Sequence, residues 1–384
     1  MTNQPIIEFK NIKKIYGDNV AVDTANLSVE AGEFICFIGT SGSGKTTLMR
    51  MINRMLKPSE GQIYFDGKDI STINPIHLRR KIGYVIQNIG LMPHMTIYEN
   101  ITLVPKLLKW PEDKKKAKAK ELIKLVELPE EFLDRYPSEL SGGQQQRIGV
   151  IRALAADQDV ILMDEPFGAL DPITREGIQD LVKTLQETMG KTIVLVTHDM
   201  DEALKLASRI VVMDNGKMVQ VATPDEILHH PATEFVEKMI GEERLMQAQM
   251  DITPVKSIML KNPVSITAEQ PISDAITLMR QRRVDTLLVT ENQKLIGLID
   301  LESISNQYRK NLLVSDILQK EVFKINEGAL LRDASQRILK RGLKYVPVVN
   351  DQGRLTGIVT RSALVDMMYD VIWGSQEQEG GQNE

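Results

Sequence analysis

Two kinds of hydrophobic pattern divide the chain. Up to about residue 240, short continuous apolar runs recur, at 34–39, 160–164 and 192–197. Runs of that length without alternation mark strands covered on both faces of a parallel sheet. Helices are expected to begin within or just after the intervening glycine loops, the alternating α/β arrangement. Between roughly 105 and 140 the pattern becomes Lys- and Glu-rich and helical, as in 114–128, which predicts a helical lobe carried on the sheet domain. Residues 242–250 are polar and helix-prone without a motif and read as a linker.

Beyond that linker the chain repeats itself. Val255-Lys256-Ser257-Ile258-Met259 aligns with Val314-Ser315-Asp316-Ile317-Leu318 at an offset of 59, which also superposes Ile266 on Ile325, Asp274 on Asp333 and Arg282 on Arg341. One extra residue near Gly353 brings Leu295-Ile296-Gly297-Leu298-Ile299 over Leu355-Thr356-Gly357-Ile358-Val359. Each copy, 251–310 and 311–373, predicts strand, helix, strand, strand, helix. A unit of about 60 residues is marginal alone, so the two should pack into one body. The stretch 374–384 is Gln, Glu, Gly, Asn and one Ser and is expected to be disordered.

At 384 residues the chain exceeds one hydrophobic core, so at least two domains are expected. The net charge is −5, and from Gly241 onward 18 basic residues face 19 acidic ones, so neither half is a polycation and no nucleic-acid partner is expected. The single cysteine, Cys36, allows no intrachain disulfide, fits a reducing compartment and, lying in an apolar run, reads as a small core residue. Residues 1–10 lack the features of a secretion signal, and no apolar run approaches the ~20 residues that span a bilayer. The expectation is a soluble, intracellular protein. If it moves a solute, another polypeptide forms the path.

The candidate chemistry sits where the apolar runs end. Gly39-Thr40-Ser41-Gly42-Ser43-Gly44-Lys45-Thr46 follows one run and is itself followed by Thr47. A glycine loop between strand and helix surrounds phosphates with backbone N–H groups, Lys45 pairs with the β- and γ-phosphates, and Thr46 is placed to coordinate Mg²⁺. The run 160–164 delivers Asp164 and Glu165 together, for which a buried strand has no structural use. Asp164 is placed to hold the Mg²⁺ shell and Glu165 to orient or deprotonate the attacking water. His198 follows the run 192–197. The residues Ser141-Gly142-Gly143-Gln144 precede a predicted helix, whose N-terminal N–H groups form a second anion site.

In their order, these segments resemble the ATP-binding-cassette (ABC) family over residues 1 to about 240. The resemblance adds three residues: Tyr16, an aromatic that stacks on adenine; Gln87 in the family's Q-loop, a metal and nucleotide contact; and Asp171 in Ala169-Leu170-Asp171, its D-loop. It implies catalytic roles for Lys45, Glu165 and His198, and a head-to-tail homodimer that sandwiches two ATPs, each between the Lys45 loop of one copy and Ser141 of the other. Residues 88–103 lie where the family docks its membrane subunit. The duplicated tail is similar to paired cystathionine-β-synthase-type (CBS) modules. The fold class that follows is α/β for a P-loop ABC ATPase domain with a helical subdomain (1–241), then the linker and a tandem α+β CBS domain.

The combination of cassette and tail resembles the importer branch for quaternary-amine osmoprotectants, glycine betaine, carnitine and choline, with another small solute such as an amino acid as the alternative cargo. It implies a separate integral-membrane permease, an extracellular or lipid-anchored solute-binding protein, and a peripheral position on the cytoplasmic membrane face. CBS pairs commonly hold an adenosine ribose by a strand-end Thr followed three residues later by Asp. Here Thr360 is followed by Ala363 and Asp300 by Ser303, which counts against AMP or ATP in the tail. Arg280, Arg282 and Arg283, with Lys340, Arg341 and Lys344, form basic clusters at corresponding helix ends. Their plainer reading is solvated cations complementing the helix dipole. The sharper one is a sensor of ionic strength, anionic lipid or a cyclic dinucleotide such as cyclic di-AMP.

Overall fold

The three apolar runs become neighbouring strands of one sheet. Six strands lie in the order Lys217–Ala222, Arg209–Asp214, Phe34–Gly39, Thr192–Val196, Val160–Asp164, Ile82–Val85, all parallel except the first. Every residue of the three runs is buried. Cys36 is among them, and burial pushes its thiol pKa up, away from thiolate reactivity. The computed structural model describes residues 4–87, 90–168, 170–307 and 312–373. The expected disorder of 374–384 therefore lies outside the described residues. The chain forms two compact units, Met1–Ile240 and Gly241–Glu384.

The first unit also holds a four-stranded antiparallel sheet that the run pattern did not suggest: Asn19–Val29, Ile7–Tyr16, Glu60–Phe65 and Lys68–Asp69. Its strands alternate, with Ile7 and Phe9 buried and Lys10 exposed, as a one-sided sheet demands. Ile7, Phe9 and Ile63 share a core with Phe37, Leu162 and Val194 of the central sheet, and each such side chain contributes ~1.5–3 kcal/mol when fully buried. The expected helix of the lobe is Glu112–Leu125, which buries Ala119, Leu122 and Ile123.

In the second unit each repeat shows the expected element order. The first runs Ser265–Thr267, Ile272–Arg282, Thr286–Glu291, Lys294–Asp300, Leu301–Gln307, and the second Ile325–Asn326, Leu331–Lys340, Tyr345–Val349, Leu355–Thr360, Arg361–Trp373. The two repeats exchange their leading arms. Leu260–Lys261 pairs with Leu355–Thr360 of the second repeat, and the corresponding Gln319 bridges back to Leu298 of the first. Val255 is buried with Ile325 and Leu331, whereas Val314 is buried with Ile266 and Leu287. The crossings need glycine: a Cβ at Gly297 would lie 2.3 Å from Leu318 Cδ1 and 2.5 Å from the Gln319 carbonyl oxygen, and one at Gly357 would lie 2.6 Å from Met259 Sδ.

The stretch read as a linker is instead the greater part of a helix, Glu242–Ile252. Met250 is buried in the second repeat's core and Met246 packs against it. Two apolar side chains four residues apart make one helical stripe, a signal that the polar composition of the segment concealed.

Candidate nucleotide site

Lys45 opens the helix Lys45–Ile52, and the residue before it, Gly44, has φ +99°, with a Cβ there placed 2.3 Å from the Ala21 carbonyl oxygen. No larger residue fits that turn. Lys45 Nζ donates to the carbonyl oxygens of Gly39 (2.8 Å) and Thr40 (2.7 Å) and to Ser43 Oγ at 3.3 Å. Burial lowers its pKa, opposed by Glu165 and Asp164. The loop surface is formed by Thr40, Ser41 and Gly42, all exposed, while Ser43 is buried and Thr47 half-buried on the first helical turn.

The strand Val160–Asp164, separated from Phe34–Gly39 by Thr192–Val196, brings the acids to this loop. Thr46 Oγ1 donates to Asp164 Oδ1 at 3.0 Å. Both are hard oxygen donors, and with phosphate oxygens completing the shell the pair fits Mg²⁺. The next residue, Glu165, leaves the strand with φ +46°, a conformation uncommon for a residue other than glycine, and its N–H donates to the Val196 carbonyl oxygen at 2.9 Å. That hydrogen bond ties the turn to the neighbouring strand. Glu165 Oε2 lies 3.4 Å from His198 Nδ1 and accepts from Gln87 Nε2 at 3.5 Å. Gln87, Glu165 and His198, from three separate loops, thus meet at one carboxylate oxygen.

Tyr16 is 47% exposed at the tip of the hairpin whose second strand touches Gly44 through Ala21. Ser141 caps the helix Gly142–Leu154 in a reciprocal box with Gln144, with Gln144 N donating to Ser141 Oγ and Ser141 N to Gln144 Oε1. Gly142 is exposed at the helix start. A Cβ on Gly143 would meet Thr174 Cγ2 at 2.4 Å. Among the described residues no hydrogen bond joins Ser141 to the Lys45 loop. Asp171 caps Pro172–Met189 by accepting from Thr174 N at 3.1 Å, and the hydrogen bonds from Thr174 hold its carboxyl below the usual range. Ala169 of the same loop and Asn88 beside Gln87 lie outside the described residues.

Several supporting residues carried no motif signal. Glu202 is 4% exposed and accepts from Thr197 Oγ1 at 2.5 Å, and Thr197 Oγ1 in turn accepts from Asp199 N. Burial raises the Glu202 pKa. Arg175 donates to the Leu170 carbonyl oxygen at 3.2 Å and lies 3.8 Å from Asp199 Oδ2. Gln146, buried in the helix capped by Ser141, donates to the Pro166 carbonyl oxygen at 2.7 Å. The two residues that flank His198 are therefore anchored, Thr197 by Glu202 and Asp199 by Arg175. The one legible hint was Glu202 itself, an acid four residues after His198.

A phosphate loop beside a metal-competent Thr46–Asp164 pair and a Glu165 carboxylate flanked by Gln87 and His198 defines a P-loop ATPase. Residues 22–168 match the model of the ABC transporter family, and 255–309 and 314–370 match that of the CBS domain. The chain belongs to the ABC transporter family, among its ATP-binding subunits. It is 61% identical to the carnitine transport ATP-binding protein OpuCA of Listeria monocytogenes, with 97% of this chain and 94% of that protein covered. It is 57% identical to the glycine betaine/carnitine/choline transport ATP-binding protein OpuCA of Bacillus subtilis, covering 97% and 99%. Among solved structures, a dimeric ATP-binding cassette in a post-hydrolysis state bound to ADP and Pi is 37% identical, with a TM-score of 0.51 over 57% of this chain and 98% of that one.

Proposed function

We propose that this chain is the ATP-hydrolysing subunit of an importer of quaternary-amine osmoprotectants, glycine betaine, carnitine or choline, working through a separate membrane permease. The observation that carries the reading is the convergence of Gln87 and His198 on Glu165 beside the Thr46–Asp164 pair. The cargo for which its relatives are named supports the solute class.

In this reading ATP lies along the loop 39–46, with adenine against Tyr16 and Lys45 at the β- and γ-phosphates. Thr46 and Asp164, with Gln87, would hold Mg²⁺, which would supply charge neutralisation at the phosphates. Glu165 takes a proton from the attacking water, and His198 contacts the γ-phosphate while holding the Glu165 carboxylate in place. Ser141, Gly142, Gly143 and Gln144 face the ATP of a second copy, Gly142 and Gly143 through first-turn N–H groups and Ser141 and Gln144, whose own N–H groups close the capping box, through their side chains, so the working unit is a homodimer closed by ATP and released by hydrolysis.

The permease seat in this proposal is a concave surface of about 320 Å³ whose lining includes Met55, Met92, Leu103 and Val104, beside Arg79 and Arg152. Exposed Met55 and Met92 beside exposed Arg79 fit a short amphipathic helix of the membrane subunit. Among the described residues no helix is long and apolar enough to cross a membrane; in this reading, docking on the permease holds the chain at the cytoplasmic membrane face. A solute-binding protein outside the membrane supplies the cargo.

For the tail we propose a regulatory role with an anionic ligand, such as cyclic di-AMP, at the exposed helix-end cations Arg280, Arg282, Arg283, Lys340 and Arg341. The unit's cleft of about 530 Å³ is a poor anion site: Asp285, Asp300, Glu302 and Glu321 line it against Lys344, and Lys344 is already paired with Asp285 at 2.5 Å.

The test is a purified Glu165→Gln chain given Mg-ATP. It should retain ATP and elute as a closed dimer with turnover lowered by about 10²–10⁴-fold, and hydrolysis at the unmutated rate would remove Glu165 as the base. Uptake of labelled betaine, carnitine and choline by a deletion strain then names the cargo, and unchanged uptake of all three defeats the osmoprotectant reading.

A further inference from the structure

Asp164 receives more donors than a metal-holding carboxylate needs. Thr46 occupies Oδ1, while Oδ2 accepts from Arg50 Nη2 at 3.2 Å and from the Tyr84 hydroxyl at 3.3 Å. Thr46 and Arg50 are four residues apart on one helix and so present to the same side. Tyr84 belongs to the strand Ile82–Val85, which is paired with Val160–Asp164. Asp164 is only 6% exposed, where an uncompensated carboxylate is costly. The Arg50 side chain is 47% exposed, so its cationic end reaches a buried anion from the solvent side.

We propose that Arg50 is a positioning residue that serves as a built-in counter-ion for Asp164 and thereby sets how tightly the divalent cation is held. The inference rests on Thr46 and Asp164 being the protein oxygens of the Mg²⁺ site. A guanidinium at one oxygen of the carboxylate and a divalent cation at the other repel each other, so Arg50 lowers cation affinity. Without the cation it supplies the positive charge that the buried Asp164 requires. Tyr84 adds a neutral donor to the same oxygen and directs the carboxylate without competing in charge.

The experiment uses the full chain with a non-hydrolysable ATP analogue and Mn²⁺ followed by electron paramagnetic resonance, together with thermal unfolding in EDTA and in saturating Mg²⁺ plus analogue. Arg50→Gln should tighten Mn²⁺ binding about threefold, the size expected of a half-exposed ion pair. Its midpoint in EDTA should fall by about 2–4 °C, with a smaller fall when Mg²⁺ and analogue are present. Arg50→Lys should restore both readouts, and Tyr84→Phe should shift them less than Arg50→Gln. Unchanged or weaker Mn²⁺ binding in Arg50→Gln, equal loss of stability in both conditions, or a larger effect from Tyr84→Phe would overturn the assignment. Absence of Mn²⁺ binding in the unmutated chain would instead overturn the Thr46–Asp164 site on which it rests.

Discussion

The two units put the junction of strand and helix to different uses. In the first, Asp164, Glu165 and His198 follow adjacent strands, and side chains from separate loops come within 3.5 Å of one another. In the second, the corresponding polar residues cap their own helices, Asp300 Oδ1 accepting from Ser303 N at 2.8 Å and Ser303 Oγ at 2.5 Å and Thr360 Oγ1 from Ala363 N at 3.2 Å, and the crossed arm brings Asp300 a neutral amide, Gln319, at 3.4 Å. An acid at a strand end gains an ionisable partner when a neighbouring strand delivers one, as His198 reaches Glu165. Otherwise the nearest unpaired N–H claims it as a cap. The Asp and Ser at the spacing that counted against adenosine binding in the tail are thus engaged with each other.

The sharpest test of this contrast is Glu165→Gln, which should lower ATP turnover by about 10²–10⁴-fold while leaving the unfolding of the second unit unchanged; steady-state hydrolysis and calorimetry read the two separately. Next in size is the arm crossing. Gly297→Ala places a Cβ 2.5 Å from a backbone oxygen and should destabilise the second unit by about 1–3 kcal/mol. Gly357→Ala, which meets the flexible Met259 side chain first, should cost less, and equal costs would show that the two crossings are not distinguished by what they touch.

A smaller effect concerns Glu202, whose folded-state pKa is raised by burial above the ordinary 4.5. The folded chain therefore binds the proton more tightly than the unfolded one, and this carboxyl contributes stability at low pH that is lost as pH rises through its folded pKa. Relative to the unmutated chain, Glu202→Gln should gain stability as pH rises from 4 toward neutrality, as read from unfolding midpoints across that range. The smallest effect is expected at the tail's surface: Lys344→Ala breaks the exposed pair with Asp285 and should leave the unfolding midpoint nearly unchanged. A clear loss there would mean that the acidic cleft depends on Lys344 for its shape.

Much of the site was legible because its parts are local. The glycine loop before Lys45, the acids ending 160–164 and the Ser141 cap each announce themselves within a few residues, and the internal repeat located the second unit by self-similarity. What was missed was non-local or masked by composition. Arg50 and Glu202 lie on ordinary helices and matter only through Asp164 and Thr197. The antiparallel sheet has the alternating pattern of a one-sided surface, which continuous apolar runs do not reveal. The helix Glu242–Ile252 buries an apolar stripe too narrow to offset its polar composition in a linear reading.

The order of residues determined which segments become buried strands, where phosphate-binding turns fall, and that the tail is duplicated, because these depend on spacing within a few residues. The tertiary structure alone decided that Gln87 and His198 meet at Glu165, that Arg50 reaches Asp164, and that each repeat's arm completes the other's core. Those contacts join positions far apart in the chain. They follow from strand order and arm exchange, which cohesive packing selects and which no local spacing encodes.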